Sequence, residues 1–149
     1  NKMRDVCRYH SGIDKKIILR AVNSVMPKSK TIREFGLIFV SLRKMAEFNL
    51  KYRRRNKPTN VLSFGFGDPA LERNRLSRIK FISFKGGDVA VCPKVAAAEA
   101  KKYGFTQKNW MTLLIVHAIL HLAGYDHKTL KDKTAMKHLE DKVCVRLSV

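Results

Sequence analysis

Three histidines in one eleven-residue stretch, HAILHLAGYDH from His117 to His127, are the side chains of this sequence best spaced for chemistry. On a helix, residues four apart point about 40° apart and stand about 6 Å apart along the axis. His117 and His121 can therefore reach one ion. Gly124 allows the helix to end in a left-handed turn, so the chain can double back and bring in His127 as a third ligand. Three neutral imidazoles with an open fourth position are the makeup of a catalytic zinc site. A single His on an apolar helix is more often a satisfied core residue. Here two rings share one face of an otherwise apolar run, Leu113 to Ala123. Left unpaired, each would cost about 1–3 kcal/mol, and a shared metal removes that cost. The expectation is one Zn2+ per chain, with nickel, cobalt or copper also acceptable to imidazole. His10 and His138 lack such partners and read as surface or structural residues.

The reaction is constrained by what accompanies the histidines. The spacing, with glycine at the eighth position, is that of zinc peptidases, which keep a glutamate directly after the first ligand. Here that position is Ala118. A peptidase needs that base to take a proton from water and pass it to the leaving amine. A phosphodiester asks for different help, because zinc itself can bring a bound water's pKa to about 7. The charge that then develops on the phosphoryl group wants Arg or Lys nearby. The 149 residues supply such charge: 31 Lys and Arg against 12 Asp and Glu leave a net +19. Residues 1–60 hold sixteen of the basic side chains and four of the acidic ones. Such a field attracts polyanions, nucleic acid being the usual one. An anionic membrane is a weaker reading, since no Lys/Arg-rich amphipathic helix with large apolar anchors stands out. The run Leu113 to Ala123 is also too short to span a bilayer. Cys7, Cys92 and Cys144 form no C-x-x-C pair and suit buried free thiols in a reducing compartment. With no secretory signal pattern, a cytoplasmic location is expected. Cys92 or Cys144 could still close the metal site as a fourth, structural ligand. Asp126 either orients an imidazole or serves the turn.

The elements that must position these residues follow from periodicity and punctuation. Ile13 to Met26 shows one apolar helical face, ended by Pro27. Phe35 to Leu42 reads as a buried strand. Ser41 caps a helix through Leu50, with Leu42, Met45, Ala46 and Asn49 on one side. Arg53 to Pro58 is a basic loop, and Thr59 to Phe66 a strand. Ala70 to Arg78 reads as a polar loop. Ile79 to Phe84 and Gly86 to Cys92 are strands that can pair as a hairpin. Pro93 opens a helix that Gly104 closes. Thr106 or Asn109 caps the histidine-bearing helix, which runs to about Ala123. A last helix, Leu130 to Leu147, carries Met136, Leu139, Val143 and Leu147 on one stripe. The fold class is α+β: a mixed sheet of about four strands packed with helices, the metal site on a central helix. No boundary is needed within residues 1–149, which read as a single domain.

Beyond these patterns, HAILHLAGYDH resembles the H-G-x-L-H-L-x-G-Y-D-H signature of the YbeY family, bacterial endoribonucleases of ribosomal RNA maturation. Asn49 to Phe66, NLKYRRRNKPTNVLSFGF, resembles that family's N-x-x-Y-R-x-x-x-x-P-T-[DN]-V-L-S-F-P-F. Gly86 to Ala100 resembles its G-D-I-x-I-C block and following helix. The resemblance implies an α+β fold and a metal cleft lined by positive charge. It makes His117, His121 and His127 the metal ligands and Arg53 the catalytic arginine. It assigns no role to Ser63 or Asp88. Arg54, Arg55 and Lys57 are expected to track the RNA backbone. Two positions depart from the pattern: Ala118 stands where the family has glycine, and Gly65 where it has proline. The expected activity is zinc-dependent cleavage of single-stranded RNA in rRNA maturation and ribosome assembly, with rRNA and the small ribosomal subunit as partners. An RNA- or ribosome-binding assembly factor with a mainly structural metal is the alternative from another class. A zinc peptidase is disfavoured by Ala118.

Overall fold

The computed structural model describes residues 12–65 and 86–149. Within them the order is α1 (Lys15–Val25), a 3-10 turn (Lys28–Lys30), β1 (Glu34–Phe39), α2 (Leu42–Arg53), β2 (Val61–Gly65), β3 (Gly86–Val91), α3 (Pro93–Tyr103), α4 (Gln107–Leu122) and α5 (Leu130–Leu147). The class is α+β, as the periodicity implied. The described residues form a three-stranded sheet in the order β1-β3-β2. The expected total of about four strands included Ile79 to Phe84, which, with the loop before it, lies outside the described residues. The expected hairpin onto Gly86 to Cys92 finds no free edge, since β1 and β2 flank β3 on its two sides.

Helix ends are set by local chemistry. The Asp14 carboxylate accepts the Lys16 and Ile17 amides at 2.9 and 3.2 Å and starts α1. Ser41, Thr106 and Thr129 each accept the amide three residues on, at 3.1 Å in every case, and start α2, α4 and α5. These bonds satisfy amides that a helix leaves without partners in its first turn. Two boundaries differ from expectation. β1 stops at Phe39, short of Leu42, because Ser41 is already the cap of α2. α2 runs past Leu50 to Arg53, so Arg53 closes a helix rather than opening a loop. Leu42 is exposed, while Met45 and Asn49 form the buried face of α2.

β3 is the central strand. It pairs parallel with β1, Glu34 opposite Gly86 through Phe39 opposite Val91. It pairs antiparallel with β2, Val61 opposite Val91 through Gly65 opposite Gly87. Alternation sends Phe35, Val89 and Val91 to one side, where they join α1, α4 and α5. Leu62, Phe64, Ala90 and Cys92 go to the other, against Met45, Phe48 and Tyr52 of α2. Gly87 sits where sheet and α4 come closest. A Cβ there would strike the Phe64 carbonyl and stand 2.7 Å from Leu122 Cδ2. Only glycine allows that approach. α4 is apolar nearly all round, with eight residues from Met111 to Leu120 buried, the mark of a helix enclosed by its neighbours. No helix among the described residues is long and apolar enough to cross a membrane.

Candidate metal centre

His117 and His121 leave α4 one turn apart, and their Nε2 atoms are 3.0 Å apart. Beyond Leu122 the chain turns at Gly124, whose φ of +99° lies in the left-handed region. The Tyr125 amide reaches back to the Leu120 carbonyl at 3.0 Å. This closing bond turns the chain so that His127 faces the helix it has just left. One nitrogen from each of His117, His121 and His127 falls in a group whose members all lie within 4.8 Å of one another. The rings of His121 and His127 are centred 5.1 Å apart. Four-coordinate zinc with nitrogens at 2.0–2.1 Å separates its ligand atoms by about 3.3 Å. The donor set fits such an ion.

Two further features prepare these nitrogens for a cation. His117 Nδ1 lies 2.5 Å from Glu140 Oε1. A carboxylate accepts only, so Nδ1 carries the proton and Nε2 presents its lone pair to the cluster. His121 is lowered from 6.5 to about 4, by burial first, then by His117 and His127, with Arg53 adding to the effect. A hydrogen bond to the Tyr125 backbone opposes the shift without cancelling it. At neutral pH His121 is therefore unprotonated, with a lone pair free for a cation.

The cluster opens into a cleft of about 570 Å³. Arg53 lines it, with Asn60 and Ser63 on the β2 side and Phe105 and Trp110 on the α3–α4 side. Arg53 is exposed at the end of α2. Arg54 follows with φ +57°, a left-handed conformation that costs a non-glycine residue about 1–3 kcal/mol. The surroundings hold it there: the Arg54 amide bonds the Leu50 carbonyl at 3.0 Å. The buried Asn49 donates from Nδ2 to the Lys57 carbonyl at 2.7 Å. The structure thus brings Arg53 and the three histidines to one cleft. Arg54, Arg55 and Lys57 are exposed on the adjoining loop and are not among the residues that line it.

The chain has clear relatives. The family model described as Endoribonuclease YbeY matches residues 7–148. The chain belongs to the YbeY family. Curated proteins named Endoribonuclease YbeY are similar to it throughout. The protein of Buchnera aphidicola subsp. Schizaphis graminum is 35% identical over 143 residues, covering 95% of this chain and 85% of its own. That of Bartonella quintana is 34% identical over 131 residues, covering 88% and 78%. A solution structure from Thermotoga maritima shares the fold, with a TM-score of 0.53 at 24% identity, over 90% of this chain and 81% of that one.

The departures from the YbeY signature have clear settings. Ala118 is buried and lines the cleft, so its methyl group adds to the cleft wall. At Gly65 a Cβ would meet nothing within 4 Å. Asp126 serves the turn: its Oδ1 accepts the Lys128 amide at 3.1 Å. Cys92 is fully buried in the small core with Met45, Leu62 and Phe64. Cys144 lines the cleft, but burial raises its thiol pKa and disfavours the thiolate a metal would need. Sequence reasoning missed Glu140, which lies 23 residues from His117. A signal was present: Glu140 falls four residues after Met136 on the buried stripe of α5, an odd place for an unpaired acid.

Proposed function

We propose that this chain is a metal-dependent endoribonuclease that cuts single-stranded RNA, with residues 1–149 acting as one domain. Zinc is the ion the donor set favours, held by His117, His121 and His127. The broader role is in rRNA maturation and ribosome assembly in the cytoplasm, with rRNA and the small ribosomal subunit as partners. Membership of the YbeY family, whose curated members carry the name endoribonuclease, supports the RNA reading. The observation that carries it is the meeting of Arg53 with the three histidines in one cleft.

When bound, the ion supplies Lewis acidity toward water and toward a phosphoryl oxygen. The chain's own residues do the rest. Glu140 holds the His117 ring in its ligating tautomer. Arg53 offers a planar fork of donors to the phosphate as negative charge develops. Arg54, Arg55 and Lys57 contact the RNA backbone outside the cleft. The peptidase reading finds no support: Ala118 offers no base, and Glu140 is engaged with His117. A closed structural site is also disfavoured, since among the described residues the ligating group holds three members and one of them, His127, is exposed.

The test compares His121→Ala and Arg53→Ala with the parent on rRNA fragments, alongside metal analysis. His121→Ala should lose both metal and cleavage. Arg53→Ala should keep its metal and cut about 100-fold to 1,000-fold more slowly, the usual loss when one charge-stabilising donor is removed. A folded His121→Ala that cuts as fast as the parent would overturn the proposal.

A further inference from the structure

Two aromatic residues stand among the exposed large hydrophobic side chains of the described residues: Tyr103, 54% exposed, and Phe105, 40% exposed. They are neighbours in space. Both rings pack on Trp110, with centroids 5.2 and 5.1 Å away. Aromatic rings exposed side by side, unlike a lone exposed hydrophobic residue, form a contiguous patch of the kind that marks binding surfaces. The cluster is also built rather than loose. Trp110 Nε1 donates to Glu99 Oε2 at 2.8 Å. The same carboxylate accepts from Asn60 Nδ2 at 3.1 and 3.2 Å. Glu99 thus ties Trp110 to Asn60 in the segment that leads into β2. The Phe105 amide is fixed to the Ala100 carbonyl at 2.9 Å, and Thr106 caps α4 immediately after.

The surroundings specify the occupant. Phe105 and Trp110 line the same cleft as Arg53 and the three histidines. Lys101 and Lys102 occupy the last turn of α3. Lys102 Nζ stands 5.5 Å from the centre of the Tyr103 ring, and Lys108 lies in the first turn of α4. A flat aromatic face beside cations fits a ligand that offers flat rings on an anionic thread. An unpaired stretch of RNA is such a ligand, and a duplex, whose bases are already stacked, is not.

We propose that Phe105, backed by Trp110, is a stacking platform for an unpaired nucleobase next to the scissile phosphate. This rests on the RNA-cleaving reading and adds a subsite to it. The platform gives the cleft a preference for single strands that neither the metal nor Arg53 supplies, because both act on phosphate. Any base serves, so the subsite selects strandedness and not sequence.

Trp110 is the chain's one tryptophan and reports directly on the platform. The probe is a short 2′-O-methyl oligoadenylate, which binds without being cut, with inorganic polyphosphate as the ligand that offers charge alone. The oligonucleotide should quench Trp110 fluorescence, and polyphosphate should bind without quenching. Phe105→Ala and Phe105→Leu should each weaken oligonucleotide binding about tenfold and leave polyphosphate affinity unchanged. Phe105→Tyr should restore the parent value. The leucine variant keeps an apolar side chain at this site, so a folding defect confined to alanine does not obscure the result. Parent-like oligonucleotide affinity in the leucine variant, or equal quenching by polyphosphate, overturns the proposal. Cleavage of unmodified RNA by the parent is measured in parallel. If the parent does not cut while Phe105→Leu still weakens binding, the enzyme reading falls and the platform stands.

Discussion

On one face of the sheet, α1, α4 and α5 close over Phe35, Val89 and Val91 in a large core. On the other, α2 supplies Met45, Phe48 and Tyr52 to a much smaller one around Val40, Leu62, Phe64, Ala90 and Cys92. The candidate ligands His117 and His121 stand on α4, the central helix of the large core, and Arg53 ends the helix over the small one. Their anchorage differs accordingly. His117 and His121 sit on a helix fixed on nearly every side, with Glu140 holding one ring from α5. Arg53 follows Tyr52, whose ring packs at 4.8 Å on Phe64, and precedes the strained Arg54. A metal-binding triad would need sub-ångström placement, and a dense core supplies it. In the role proposed for Arg53, a phosphate clamp on a long side chain tolerates a softer mounting.

That difference predicts which changes travel together. Ile119→Ala, in the middle of α4, should cost about 2–5 kcal/mol of stability and reduce metal affinity and cleavage together. Met45→Ala, in the small core, should cost a similar amount by thermal unfolding while the folded fraction keeps its metal. Equal metal loss in both variants would erase the distinction between the two cores. Glu140→Ala should weaken metal binding about 10–100-fold, measured by competition with a chelator, with cleavage recovered at high metal concentration. Tyr52→Leu removes ring contacts worth about 0.5–1.5 kcal/mol. It should slow cleavage by loosening Arg53 and leave metal affinity at the parent value. The smallest effect at any one salt concentration is expected from neutralising Arg54, Arg55 and Lys57 together. Single-strand binding changes its log–log salt slope by about 0.7 per phosphate contact, so the slope should fall by about 2 with metal content unchanged.

How much of this was legible beforehand follows the same divide. The histidine triad could be read directly, because helical spacing, a glycine and a turn are local features. So could the caps at Ser41 and Thr106 and the proline opening α3, since each acts within one turn of helix. The end of α2 was misjudged because a left-handed arginine is not a sequence signal. What holds the turn is a buried asparagine bonded eight residues away. The pairings that cross between elements carry no local signature: Glu140 stands out as an acid beside the buried stripe of α5, but nothing in the sequence joins it to His117, or Glu99 to Asn60 and Trp110. Each joins segments that only the packing of helices on the sheet brings together. The strand order escaped for a related reason. β3 sits centrally between β1 and β2, a topology that hairpin patterns do not encode.

The central claim is that three histidines hold one ion and that RNA cleavage depends on it. It is tested most directly by stripping the protein of metal and titrating zinc back while cleavage of an rRNA fragment and bound metal are followed together. The account predicts no cleavage without metal and recovery that saturates at one zinc per chain. Undiminished cutting by the stripped protein, or recovery that ignores the loss of His121, would contradict it.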